Sequence, residues 1–263
     1  MLSKYSLIPV ALVALGGSEL AAANTYDEGQ WITTFTAGTG LVSRGTLGGR
    51  GSADIADLGV INPSFGGDAG SVQIDHLQFN DAFRPGPSFG IETGYMAQSN
   101  VEPFVRLSYS QMRGRNNEIG AVNSTAFDSP VPIRADFDDM NSWALDFGTR
   151  YFLSDTGTFR TFVAGYLGAD RVDALHAHYT ISGMPASPRE EFLPQVTRFD
   201  AGVEGGLAWQ VADQADLSLS VGAQYVDARR EHTDAFAPLG IEDVRFTDQK
   251  WSLPVNLGVN FRF

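Results

Sequence analysis

The chain has 263 residues, 31 of them acidic and 18 basic, with a formal net charge of −13 and no cysteine. The absence of cysteine excludes disulfides, thiolate metal sites and a cysteine nucleophile, and the acidic balance argues against nucleic acid as a partner. Hydrophobic residues make up 43% of the chain although the mean hydropathy is −0.11, so apolar residues are dispersed rather than gathered in blocks.

The N-terminus has the features of a secretory signal. Residues 1–4 form a short positive end, residues 5–17 are mostly apolar, and Ala21, Ala22 and Ala23 supply the small residues that precede a cleavage site. The apolar run is too short to span about 30 Å of hydrocarbon. We therefore predict a cleaved signal peptide over residues 1–23, followed by a single domain over residues 24–263.

Beyond the signal, apolar and polar residues alternate in eight segments, which is typical of half-buried strands. The segments cover residues 30–42, 88–98, 101–112, 142–153, 158–170, 198–211, 215–226 and 250–263. Apolar residues fall at odd positions and polar residues at even positions. The fifth segment is less regular, because Phe162 and Tyr166 lie on the even face.

The odd face is the one expected to meet lipid, since an arginine at mid-bilayer on a barrel exterior costs roughly 2–4 kcal/mol. Only a closed barrel satisfies every backbone polar group of a strand in a membrane. An aqueous β-sandwich with the odd residues as its core is the alternative. The signal peptide, the aromatic residues at strand ends and the connection lengths favour the barrel.

The connections between segments alternate between short and long. Short turns lie near residues 99–100, 154–157 and 212–214, and long loops lie near residues 43–87, 113–141, 171–197 and 227–249. Short turns belong on the periplasmic side and long loops outside the cell. The sequence therefore predicts an all-β fold, an eight-stranded transmembrane antiparallel up-and-down barrel. A strand at residues 72–79 would give a ten-stranded alternative.

The C-terminal segment supports a family resemblance. Its odd residues look like the assembly signal of outer-membrane proteins: Val255, Leu257, Val259, Phe261 and Phe263. The chain resembles the small barrels of the OmpA and OmpX type, including opacity-like porin-family members, without a peptidoglycan-binding domain. This resemblance implies localisation in the outer membrane of a Gram-negative cell. It also implies three partners: outer-membrane lipids, lipopolysaccharide and the barrel-assembly machinery, the last through the C-terminal strand.

Charged residues on the even face predict the nature of the lumen. We expect them to form a paired network: Glu92, Arg106, Asp146, Arg150, Arg160, Asp170, Asp200 and Glu204. Eight strands leave an interior that side chains can fill, so a largely plugged lumen is expected. A narrow porin-like channel for ions or small solutes is the alternative.

The long loops predict a structural or adhesin-like role in surface contact. Asp136, Asp138 and Asp139 lack the spacing of a calcium loop, so a solvated acidic loop is expected there. A lipid A hydrolase is the rival class, and it would need a histidine next to a serine. His176 and His178 would face inward if the fifth segment continued, whereas His76 and His232 lie in loops. We predict no enzyme activity, no cofactor and no metal.

Overall fold

The computed structural model describes residues 26–60, 63–153, 158–181, 189–228, 230–233, 236–237, 244–247 and 250–263. The predicted signal peptide and the turn at residues 154–157 lie outside these ranges. None of the helices within them has the length and apolar character needed to cross a bilayer.

The described ranges hold eighteen strands, one short α-helix and two single-turn 3-10 helices, at Leu58–Val60 and Pro63–Phe65. The strands and the α-helix are given in chain order. They are β1 (Trp31–Arg44), β2 (Thr46–Gly48), β3 (Gly51–Ile55), β4 (Gly70–Ile74), β5 (Leu77–Gln78), α1 (Phe79–Ala82), β6 (Phe83–Tyr95), β7 (Val101–Gly114), β8 (Asn116–Ser124), β9 (Val131–Phe137), β10 (Met140–Phe152), β11 (Phe159–Val172), β12 (Leu175–Ile181), β13 (Glu190–Leu193), β14 (Val196–Ala212), β15 (Ala215–Val226), β16 (Arg230–Thr233), β17 (Val244–Thr247) and β18 (Lys250–Arg262).

Eight of these strands close into a barrel in the order β1-β18-β15-β14-β11-β10-β7-β6, and β6 pairs with β1. Every neighbouring pair is antiparallel. The predicted eight-stranded barrel is confirmed, and the ten-stranded alternative is wrong. The segment proposed as an extra barrel strand instead contributes β4, which pairs with β3 and β8 outside the barrel.

The exterior of the barrel is apolar. Every exposed large hydrophobic side chain among the described residues has an odd number, including Phe35, Leu145, Val203 and Leu257. In β11, Phe162 and Tyr166 are buried while Val163 and Leu167 are exposed, so this strand follows the same parity. A continuous apolar band of this kind on a closed barrel is suited to contact with the acyl chains of lipids.

Aromatic side chains mark both borders of the band. Tyr109 packs against Trp143 near one border, and Trp31 packs against Tyr95 near the other. On β10 the two borders lie at Trp143 and Tyr151, a separation of eight residues or about 26 Å along the strand. Because barrel strands tilt by about 40°, this length corresponds to a height of roughly 20 Å, which is close to the apolar band of about 25 Å between two aromatic girdles.

The connections that the sequence predicts as long loops contain regular strands. They fold together into two further sheets, which we call the cap. One sheet has six strands in the order β13-β12-β9-β8-β4-β3, and the other has four in the order β16-β17-β2-β5. Each sheet combines strands from different connections, because a lone hairpin of this length could not bury an apolar face.

The cap has its own hydrophobic core, which continues into the barrel mouth. Its fully buried members come from both sheets and from α1, and they include Leu47, Phe79, Ile133, Leu175 and Phe192. Inward-facing residues at the top of the barrel join the same cluster: Met112, Met140 and Val172. The cap core therefore lies across the end of the lumen.

The parity of burial switches where barrel strands pass into the cap. In β11 the buried residues are even and end at Val172, whereas in β12 they are odd and begin at Leu175. Two residues at 173–174 separate these strands and reset the alternation. The expectation that His176 and His178 face inward is therefore wrong, since both lie half-buried between inward-facing residues of β12.

Candidate functional site: the barrel lumen

The lumen contains most of the buried charge that the structure describes. Seven acidic and six basic residues are buried there, all at even positions of barrel strands: Glu92, Glu102, Asp146, Asp170, Asp200, Glu204 and Asp216, with Arg106, Arg150, Arg160, Arg198, Lys250 and Arg262. Buried charges are costly unless they are paired. Their arrangement therefore decides what the lumen can do.

Two arginines and three glutamates form the central layer. Arg106 lies 2.7 Å from both Glu92 and Glu204, and Arg150 lies 2.7 Å from both Glu92 and Glu102. The Phe104 ring lies beside both guanidinium groups, at 5.0 and 5.3 Å from its centroid. Each arginine thus bridges two carboxylates and also contacts an aromatic face, which compensates for the water it has lost.

The end of the lumen opposite the cap is closed by a second layer around Asp216. Its carboxylate accepts a 2.6 Å hydrogen bond from the Tyr26 hydroxyl and lies 3.3 Å from both Arg160 and Arg262. The Arg160 guanidinium stacks on the Tyr26 ring at 3.3 Å. The Tyr26 ring also belongs to a buried apolar cluster with Ile32, Met96, Phe152 and Phe162.

A third layer lies on the cap side of the central layer, and it has a larger share of acidic residues than the central layer has. Asp170 pairs with Arg198 at 3.0 Å, and Asp200 accepts a 2.9 Å hydrogen bond from Gln224. Asp146 is 2% exposed, and one of its carboxylate oxygens has no hydrogen-bond partner. Buried polar atoms of this kind are commonly satisfied by ordered water.

A polar chamber of about 120 Å³ lies between the central layer and the cap core. Its wall is made largely of hydroxyl groups, from Thr34, Thr36, Ser88, Ser108, Ser110, Ser142, Ser218, Ser220 and Ser252. This volume has room for roughly four water molecules. Asp146 and Asp170 line the chamber from one side, while Met112 and Val226 line it at the cap end.

Glycines on neighbouring strands make room for the long side chains of the lumen. The Tyr166 ring lies over Gly202, and the Glu102 carboxyl lies over Gly94, so that a Cβ at either glycine would overlap it. The same arrangement places Phe104 over Gly148, Phe162 over Gly206 and Asp146 over Gly168. The many glycines on the even face are therefore a packing requirement of a narrow, filled barrel.

All eight predicted lumen residues lie on the inner wall of the barrel. Each belongs to one of the three layers: the central layer, the layer around Asp216 or the layer next to the cap. Sequence reasoning missed Glu102, Arg198, Asp216, Lys250 and Arg262, although their even positions within or beside the predicted strands were a usable signal. It also missed Tyr26, which precedes β1 and has no alternating neighbours. The predicted C-terminal signal residues lie on β18 and just after it, with Leu257, Phe261 and Phe263 exposed on the outer face.

The acidic residues and histidines that the sequence analysis considered as possible metal or catalytic groups lie in the cap, and they do not form a common site. Asp138 pairs with Arg189 at 2.6 Å, whereas Asp139 accepts a hydrogen bond from the Gly114 amide. His176 lies 3.6 Å from Glu191. In the part of the chain that the structure describes, no three histidine, aspartate or glutamate side chains form a metal-site cluster. The side chain of His232 lies outside the described set.

The cap surface is strongly acidic. Its exposed carboxylates include Asp54, Asp57, Asp68, Asp75, Glu118, Asp128 and Asp136. Asp57 accepts hydrogen bonds from the amides of Gly67 and Gly59, both at 2.8 Å, and these bonds lower the pKa of Asp57. Asp57 therefore stays ionised at neutral pH.

Comparisons with known proteins found distant similarity to solved structures only. No family model matches the chain, and no curated protein sequence does. Neisserial surface protein A is 13% identical and aligns over 90% of this chain and 98% of its own, with a TM-score of 0.37. OprG from Pseudomonas aeruginosa is 12% identical over 90% and 98%, with a TM-score of 0.45.

Ail, the attachment invasion locus protein of Yersinia pestis, is 13% identical over 90% of this chain and 100% of its own, with a TM-score of 0.36. Its structure is a complex with the heparin analogue sucrose octasulfate. The closed eight-stranded barrel places this chain in the fold of the small outer-membrane barrels that the sequence resembles.

Proposed function

We propose that the protein is an integral outer-membrane barrel whose lumen is plugged and whose cap serves as a surface-contact platform on the cell exterior. Export would use the signal peptide at residues 1–23, and insertion would use the C-terminal residues of β18. The lipid-facing band and the fold support this assignment.

The observation that carries the proposal is that packed layers of side chains follow one another along the lumen. A solute from the periplasm meets the apolar cluster around Tyr26, then the Arg106–Arg150 layer, and finally the cap core. Moving an ion past these layers would require breaking several ion pairs that are shielded from water. A plugged barrel is thus the function class that the geometry favours over diffusion.

The cap supports the second half of the proposal. Its strands from all four long connections share one hydrophobic core, so its exposed residues are held on a packed scaffold. A pre-organised surface loses less conformational entropy on binding than mobile loops do. Its acidic face would suit a basic partner surface through electrostatic complementarity.

Two experiments test these halves separately. Planar-bilayer recording of the purified protein is expected to show no steady conductance, because the lumen is filled. Regular, stable channel openings would instead favour the narrow channel, for which the hydroxyl-lined chamber is the supporting observation.

Surface contact is tested in Gram-negative cells that express the protein, using attachment to an epithelial monolayer as the measurement. The comparison variant replaces residues 116–137, the β8–β9 hairpin, with a tight turn. Attachment is expected to fall to the level of cells without the protein, at equal amounts of folded barrel. Equal attachment by both forms would contradict the surface-contact role.

A further inference from the structure

Two arginines face each other on the outside of the barrel, where it enters the cap. Arg84 on β6 is the direct cross-strand partner of Arg113 on β7, and both side chains are exposed. Met112, next to Arg113, is buried in the cap core, so Arg113 points away from the lumen. Side chains directly opposite on antiparallel strands have Cβ atoms about 4.5–5.5 Å apart.

Like charges at this separation destabilise a strand pair unless an anion lies between them. Among the described residues, neither guanidinium has a carboxylate within ion-pair distance. Of the nearby acids, Asp139 accepts a hydrogen bond from the Gly114 amide and Asp81 accepts one from the Gln78 amide. The protein leaves both positive charges available to an external anion.

The height of the pair above the apolar band indicates where that anion comes from. On the same two strands, Phe89 and Tyr109 are cross-strand partners in the aromatic row at the extracellular border. Arg113 lies four residues beyond Tyr109, about 13 Å along a tilted strand. Headgroups occupy the first several ångströms beyond the hydrocarbon. Long arginine side chains reach that layer easily.

We propose that Arg84 and Arg113 together bind the phosphate of an anionic outer-leaflet lipid. Two guanidinium groups side by side supply the planar, paired donors that phosphate oxygens accept best. The acyl chains of the same lipid would lie against the apolar band below. The inference rests on the proposed insertion in the outer membrane, and it names a lipid contact that the acidic cap surface would not provide.

The test uses the full-length mature chain, folded in nonionic detergent micelles that contain either diphosphorylated lipid A or phosphatidylcholine. Native mass spectrometry measures how much lipid the protein retains. The double variant Arg84→Gln/Arg113→Gln is expected to retain lipid A with about tenfold lower apparent affinity, and to retain phosphatidylcholine as before. The control is Arg50→Gln/Arg134→Gln, which removes the same charge from exposed cap positions and is expected to behave like the parent.

Equal lipid A retention by the parent and by Arg84→Gln/Arg113→Gln would overturn the proposal. Displacement of lipid A by millimolar inorganic phosphate would also overturn it, because the site would then prefer a free anion. Heat-modifiable migration in SDS verifies that each variant is folded. Failure of the folded parent to float with liposomes would refute membrane insertion itself, which is a separate result from lipid selectivity.

Discussion

The barrel and the cap close their interiors in opposite ways. In the barrel, apolar side chains face outward and the interior holds paired charges such as Arg106 with Glu204. In the cap, apolar side chains such as Ile133 and Phe192 are buried and acidic residues are exposed. The difference follows from the surroundings, because apolar side chains are stable against lipid acyl chains but are unfavourable in water.

The boundary between the two regions lies within a few residues of the chain. Burial switches from even to odd positions between β11 and β12, and from odd to even positions between β9 and β10. At each switch two residues outside regular strands reset the alternation. One chain can thus pass from a membrane environment to an aqueous one without a separate domain linker.

The largest effect should come from breaking the charged interior of the barrel. Arg150→Met removes the partner of Glu102 and leaves three glutamates to share Arg106. The free energy of unfolding is expected to fall by about 4 kcal/mol, because unpaired buried charge is costly. Urea titration in lipid vesicles measures this change.

The matched control for that variant is Arg134→Gln in the cap, where the arginine is exposed. It should change the free energy of unfolding by no more than about 0.5 kcal/mol. If the two variants were equally mild, the lumen charges would have to be solvated rather than packed.

A smaller effect is expected from the apolar interior of the cap. Leu175→Ala truncates a side chain that is 1% exposed in the cap core, at an expected cost of about 3 kcal/mol. Limited proteolysis should then cut the cap while the barrel keeps its SDS resistance. Leu167→Ala, on the lipid-facing side of the adjoining barrel strand, leaves no cavity and should not increase cap cleavage.

The sequence was sufficient to predict the barrel and insufficient to predict the cap. In β18, Trp251, Leu253 and Leu257 all show their outward position through simple alternation. The cap strands are short, and the parity of their burial changes at bends such as residues 173–174. Their sheets also join segments far apart in the chain, as where β4 pairs with β8. Such non-local pairing leaves no local pattern.

For the candidate site, alternation identified which residues face the lumen but not which of them touch. Glu92 and Arg106 are cross-strand partners, and the register of β6 and β7 is needed to see this. The contact from Arg106 to Glu204 crosses the lumen and depends on barrel closure. Tyr26 was missed because its position depends on the Asp216 cluster rather than on a strand pattern.

The smallest expected effect comes from comparing one glycine on the inner face of the barrel wall with one glycine on the outer face. At Gly202, on the inner face, an added Cβ would overlap the Tyr166 ring, whereas at Gly165, on the outer face, no atom lies within 4 Å of an added Cβ. Gly202→Ala is expected to lower the free energy of unfolding by about 2 kcal/mol through overpacking. Gly165→Ala should change it by about 0.5 kcal/mol or less.

A double-mutant cycle assigns the cause of that difference. Tyr166→Leu shortens the side chain that lies over Gly202, so adding Gly202→Ala to this variant should cost much less than it does in the parent. Urea titration of the four proteins gives the coupling energy. If Gly202→Ala cost the same with either residue at position 166, the glycine would be needed for its backbone rather than for the space it leaves. The lumen would then be less tightly filled than the ring contact implies.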